Sequence, residues 1–143
     1  MAEASKTVEM NIPREKLWSV ITKYEEYPQF VEGAQTVKIL SRKNGVVRIE
    51  YGIHLLGKEI IYVLDHYEDK IPDRLHWEFV ESNILKANFG EWILNDLGGV
   101  KTEVTYTLAM EFKIYVPGMI LSGLVKSSLP KMLDSFKNRA LSV

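Results

Sequence analysis

The chain has 143 residues, and its 18 Lys and Arg almost cancel its 19 Asp and Glu, leaving a formal net charge of −1. That length suits a single domain, residues 1–143, with a sizeable core. Near-neutrality without a basic run argues against a nucleic-acid partner, and the absence of cysteine removes disulfides, thiolate catalysis and cysteine metal sites. The opening residues, Met1 to Lys6, lack the apolar core of a secretory signal. No apolar run approaches the ~20 residues of a membrane span, so a cytoplasmic location is expected.

Residues 7–12 predict a first strand, with Val8, Met10 and Ile12 on one face. Pro13 opens a helix, because it lacks only an N–H that the first turn leaves unpaired. Asn11 is the candidate cap, and Glu15 suits the positive end. Leu17, Trp18, Ile21 and Tyr24 form the buried side. A second short helix or turn follows over 24–31, broken because Pro28 disfavours an α conformation at Tyr27. Between Gln35 and Phe112 the apolar residues alternate with period two in short runs. Asn44-Gly45 joins strands 36–41 and Val46–Leu55, since both central residues of a type I′ turn need positive φ. The strand over 58–68 is apolar on both faces and its register is ambiguous. Strands over 74–80, 85–95 and Thr102–Phe112 complete a meander of about seven, linked by short turns. From Val116 to Leu141 the period becomes helical. Leu121, Val125, Leu129, Met132, Phe136 and Ala140 form one stripe, with Leu133 at its edge. Pro130 within it predicts a kink near 126–130. A long amphipathic helix beside an antiparallel sheet is a two-layer α+β arrangement. A sheet this long twists and curls, and one helix covers its concave face incompletely.

The inward-facing candidates for a ligand cavity follow from this alternation. They are Val47, Ile49 and Tyr51; Trp77 and Phe79; Asn88, Gly90, Trp92 and Leu94; and Tyr106, Leu108 and Met110. Leu121, Val125, Leu129 and Met132 face them from the helix. Singly, each reads better as solid core than as cavity wall. As a set, Tyr51, Tyr106 and Trp92 carry polar atoms that need partners when buried, as a mainly apolar pocket with a few polar groups supplies. Gly90 leaves room for a ligand or a close backbone approach, or marks a bulge. His54 and His76 oppose the apolar faces of their strands and read as solvated. His66 shares its parity with Ile60, Tyr62 and Leu64. No pair of histidines has metal-motif spacing, no serine lies in a nucleophile elbow and no Gly-rich phosphate loop occurs, so neither metal nor cofactor is expected.

The order strand, two short helices, long meander, long C-terminal helix resembles the helix-grip fold of START domains, the SRPBCC superfamily. Local patterns resemble its bacterial polyketide cyclase/dehydrase and coenzyme Q-binding family. They are Ile12-Pro13-Arg14-Glu15-Lys16-Leu17-Trp18, Tyr24-Glu25-Glu26-Tyr27-Pro28-Gln29-Phe30-Val31, Gly90-Glu91-Trp92-Ile93-Leu94, Thr102-Glu103-Val104-Thr105-Tyr106 and Val116-Pro117. The likeness spans nearly the whole chain, in motifs that specify fold better than ligand. It implies a monomer whose curved sheet wraps the long helix and holds one hydrophobic small molecule for sequestration or transport. Isoprenoid quinones, lipids and polyketide-like compounds are the implied ligands. An enzyme of the polyketide cyclase or aromatase type is the alternative, with Tyr51, Tyr106, His66, Asp65 or Glu91 as acid or base, a surface location being the better reading of the two carboxylates. A ribosome-associated module is a further one, which the charge supports little. The apolar stretch 116–124, with Val116, Met119, Ile120 and Leu124, reads either as a contact for neighbouring loops or as a portal lip that touches a membrane.

Overall fold

The computed structural model describes residues 2–55 and 57–143, and of Leu124 and Val125 the backbone alone. Strand β1 (Ala2–Met10) leads into helix α1 (Arg14–Ile21) and a 3₁₀ helix (Tyr24–Gln29). Six strands follow: β2 (Ala34–Lys43), β3 (Val46–Leu55), β4 (Lys58–Tyr67), β5 (Arg74–Ser82), β6 (Leu85–Asp96) and β7 (Thr102–Phe112). Helix α2 (Gly118–Ser142) ends the chain. The strands form one antiparallel seven-stranded sheet in the order β1-β7-β6-β5-β4-β3-β2. This is the START-like, helix-grip α+β arrangement that the element order implied.

Local chemistry explains most of the boundaries. Asn44 (φ 53) and Gly45 (φ 76) both occupy the left-handed region that the two-residue hairpin requires. Pro13 is itself the N-cap, and its carbonyl accepts from the Lys16 and Leu17 N–H groups at 3.1 and 3.2 Å. The helix has no side-chain cap, so Asn11 does not fill that role. β1 begins several residues before the expected Thr7. Its polar first half carries no apolar alternation, yet it pairs fully with β7, and Ser5 and Thr7 hydrogen-bond Thr107 and Thr105 at 3.0 and 2.9 Å. β4 turns Ile60, Leu64 and His66 inward and leaves Ile61 40% exposed. Its pairing with β5 jumps from Val63–Glu81 to Leu64–Phe79, which leaves Val80 as the extra residue of a bulge.

The two halves of α2 differ. In its C-terminal half Leu129, Leu133, Phe136 and Ala140 are buried, and the helix packs on β1 and α1 with only its edge against β7. That tilt places Leu133 in the middle of the buried stripe, not at its margin, and leaves Met132 half-buried. Pro130 lies within the continuous helix. The N-terminal half is only partly docked: Leu121 packs against the buried cluster of Ile60, Leu85 and Phe112, while Met119 is 88% and Ile120 50% exposed. Among the described residues, no helix is long and apolar enough to cross a membrane.

Candidate functional site

Where α2 crosses the curled sheet without filling it, a concavity remains between the two layers. The result is a cavity of about 440 Å³. Tyr51, Trp77, Asn88, Trp92, Tyr106, Leu108 and Met110 border it from the sheet, and Leu121, Leu129 and Met132 from the helix. The side chain of Val125, expected beside them, lies outside the described residues. Val47, Ile49 and Leu94 face the same side of the sheet but do not border the space. They belong to the packed core with Leu17, Ile21 and Tyr24 of α1 and the 3₁₀ helix, which cover that end of the concave face. Phe79 sits where β5 has bulged and parted from β6, half-buried against the core clusters and beside an outer groove, without bordering the cavity. Gly90 leaves no room for a ligand. A Cβ there would lie 2.5 Å from the Trp77 ring and 2.1 Å from the Thr107 carbonyl, so the protein's own indole occupies the space.

The wall is a continuous run of aromatic rings. Tyr62 stacks on Tyr51 at 5.2 Å, His66 lies 5.8 Å from Tyr51 and 6.1 Å from Trp77, and Tyr106 bridges Trp77 and Trp92 at 5.4 and 4.7 Å. Tyr27 joins from the 3₁₀ helix, edge-on to Phe136 at 5.2 Å, with its hydroxyl donating to the Ile21 carbonyl. Tyr24, Tyr27 and Phe30 are spaced by three, the interval that eclipses side chains on a 3₁₀ helix. That spacing was the available signal for a residue the alternation of the strands could not reveal. Tyr62 and Leu75 also border the space, the first from the strand whose register was ambiguous.

Polar groups are few. The Tyr51 hydroxyl and His66 Nε2 are 2.9 Å apart, and Trp77 Nε1 donates to Asn88 Oδ1 at 3.0 Å. Burial pushes the His66 imidazole down to about 4, so the ring is neutral at neutral pH. The nearby backbone groups of Val47 and Leu64 oppose this shift, although neither is aligned as a hydrogen-bond partner of Nδ1. Burial likewise raises the hydroxyls of Tyr51, Tyr62 and Tyr106, which stay un-ionised. The two carboxylates weighed as inward acids are elsewhere. Asp65 makes a two-pronged pair with Arg48 at 2.9 and 3.0 Å, and Glu91 pairs with Arg74 at 2.7 Å, both away from the cavity lining. His76 is half-covered instead of fully solvated, its ring stacked on Tyr67 at 4.6 Å. Among the described residues no group of His, Asp and Glu is arranged to hold a metal ion.

The mouth opens between residues 31–34, the end of β3 at Ile53 to Leu55, and the helix around Leu121 and Lys131. Glu32, His54 and Lys131 are exposed on this rim. Deeper, the cavity presents hydrocarbon, aromatic faces, and neutral donors and acceptors.

Comparisons agree with this architecture. Residues 10–137 match the family model described as polyketide cyclase / dehydrase and lipid transport. A START superfamily protein from Mycobacterium smegmatis superposes with TM-score 0.87 at 20% identity, covering 99% of each chain. The Zhui aromatase/cyclase from Streptomyces sp. R1128 gives TM-score 0.84 at 16% identity over 96% of this chain and 92% of its own. A STAR-related lipid transfer protein from Xanthomonas axonopodis gives 0.83 at 12% identity, covering 96% and 85%. No curated protein sequence matches this one. At these identities the superpositions establish the fold, while the family match spans most of the sequence. The chain belongs to the polyketide cyclase/dehydrase and lipid transport family.

Proposed function

We propose that the chain binds one hydrophobic small molecule between the sheet and α2 and sequesters or carries it without chemical turnover. One observation carries this reading: a roughly 440 Å³ space whose deep wall is apolar and aromatic, with only neutral polar groups. At ~30 Å³ for each water-sized volume, the space corresponds to on the order of 15 non-hydrogen atoms, within the range of small-molecule sites. A ligand burying about ten methylenes gains ~8 kcal/mol before association costs, which suits micromolar or weaker binding. Isoprenoid quinones, lipids and polyketide-like compounds meet this description, and the named neighbours include a lipid transfer protein. In this reading residues 1–143 act as one cytoplasmic domain and as a monomer. Within the stretch 116–124, Met119 and Ile120 are exposed next to Leu121 of the cavity lining and form a lip that touches a membrane while the ligand passes.

The test is mass spectrometry of a solvent extract of natively purified protein, followed by uptake of the identified compound. A stoichiometric lipid or quinone is expected. An empty extract with no uptake of either class would refute the reading.

A second reading, an aromatase or cyclase, has one favouring observation, the Tyr51–His66 pair in the wall. A base whose pKa sits near 4 is weak at neutral pH, however, and among the described residues no carboxylate hydrogen-bonds to the ring, the charge of Asp65 acting on it only from a distance. Conversion of a poly-β-ketone, lost on substitution Tyr51→Phe, would favour the enzyme.

A further inference from the structure

Asn88 lies in the interior of the sheet, opposite Met110 of β7 and beside Trp77 of β5. It borders the cavity and is only 3% exposed. A buried amide in such surroundings needs partners for both its ends. One end is settled by chemistry. The ring nitrogen of tryptophan carries hydrogen and can only donate. The Asn88 atom 3.0 Å from Trp77 Nε1 is therefore the oxygen. That bond fixes the orientation of the whole amide and turns its NH₂ group toward the cavity. Among the described residues, nothing accepts from that NH₂ group.

We infer that Asn88 is a specificity residue, its Nδ2–H groups selecting neutral ligands that carry a carbonyl oxygen of ketone or quinone type. The inference rests on the binding reading above and narrows its ligand class. A carbonyl oxygen brings two lone pairs and no hydrogen of its own. A hydroxyl also accepts, but it adds a donor, and the facing strand β7 lines the wall here with Met110 and Leu108, which offer it a weak thioether and hydrocarbon. A carboxylate would enter a deep wall with no cation, since Lys131 stands on the exposed rim beside Glu32. A ligand with no acceptor there strips water from the amide and leaves its N–H groups unpaired. The Trp77 bond holds the amide ready before any ligand arrives, so the contact is pre-organised.

Three probes of nearly one shape test this: 2-acetylnaphthalene, 2-ethylnaphthalene and 2-naphthoate. Calorimetric titration of the native protein should rank the ketone about tenfold tighter than the ethyl compound, with the carboxylate weakest. In Asn88→Leu the ethyl compound should bind at least as well as before, and the ketone advantage should vanish. The bound ketone's carbonyl stretch should shift to lower frequency in the native protein and not in the variant. That shift and the native ranking need no variant, so a poorly folded Asn88→Leu does not blunt the test. Equal binding of ketone and ethyl compound, carboxylate binding as tight as the ketone, or an advantage that survives in Asn88→Leu overturns the inference and leaves the cavity reading standing. Failure of all three probes to bind overturns both.

Discussion

One end of the concave face is closed and the other open, although both are built from the same strands. At the closed end α1, the 3₁₀ helix and the C-terminal half of α2 converge, and Ile12, Leu17, Ile49, Leu94, Val104 and Ala140 are at most 1% exposed. Arg14 of α1 stitches this end together by donating to Asp73 at 3.0 Å and to the Leu94 carbonyl at 3.3 Å. At the open end the same inward parity carries larger and more polar side chains, Tyr51, Tyr62, Trp77 and Tyr106, and the space between them and the helix is left unfilled. Separating the two ends lets one region hold the fold while the other keeps unfilled volume. A cavity costs stability where neighbours have lost contacts, so a fold that keeps one must be well packed elsewhere.

The contrast can be broken most strongly at the closed end. Leu17→Ala should cost about 2–5 kcal/mol in urea unfolding. Met132→Ala at the open end should cost at most ~1 kcal/mol and alter ligand affinity more than stability. Acid sharpens the comparison next, because the open end holds the buried His66. Its folded pKa, about 4, lies below the ordinary value of 6.5, so the unfolded chain binds the extra proton first. Stability should therefore be complete above pH 6.5 and fall as pH drops toward 4, by roughly 2 kcal/mol between pH 7 and pH 4.5. Unfolding curves at the two pH values, compared with His66→Phe, isolate this slope. A variant with the same slope would contradict the assignment. Gly90→Ala forces a methyl against Trp77 and the Thr107 carbonyl, for an expected loss of about 1–3 kcal/mol and an altered near-ultraviolet dichroism. A single hydroxyl at the closed end gives the last comparison, Thr102→Val. It deletes the buried hydroxyl that donates to the Ile12 carbonyl at 2.7 Å, for ~1 kcal/mol by thermal unfolding.

Much of the fold was legible because its signals are local. Asn44-Gly45 announces a hairpin through backbone sterics alone, and the alternation along β3 and β7 names the buried face without any tertiary information. The first half of β1 was hidden, since Ser5, Lys6 and Thr7 pair by backbone and hydroxyl groups with no apolar pattern. β4 was hidden by the opposite fault, apolar residues on both sides. The site was legible only as a face. Parity assigns Ile49 and Tyr51 to the same side, but only the docking position of α1 and the 3₁₀ helix makes one core and the other wall. Gly90 shows the same limit: a missing side chain signals close approach, and the approaching group, Trp77, is distant in sequence.

The chain has three tryptophans, and the closed and open ends divide them unequally. Trp18 is locked in the closed end, its indole donating to the Pro72 carbonyl at 2.7 Å. Trp77 and Trp92 form part of the cavity wall. The molecule thus carries its own optical reference and its own optical sensors. An entering guest that quenches on contact should quench the emission of the two wall indoles more than that of the third. The unquenched fraction then reports how deep a guest reaches, without any label being attached.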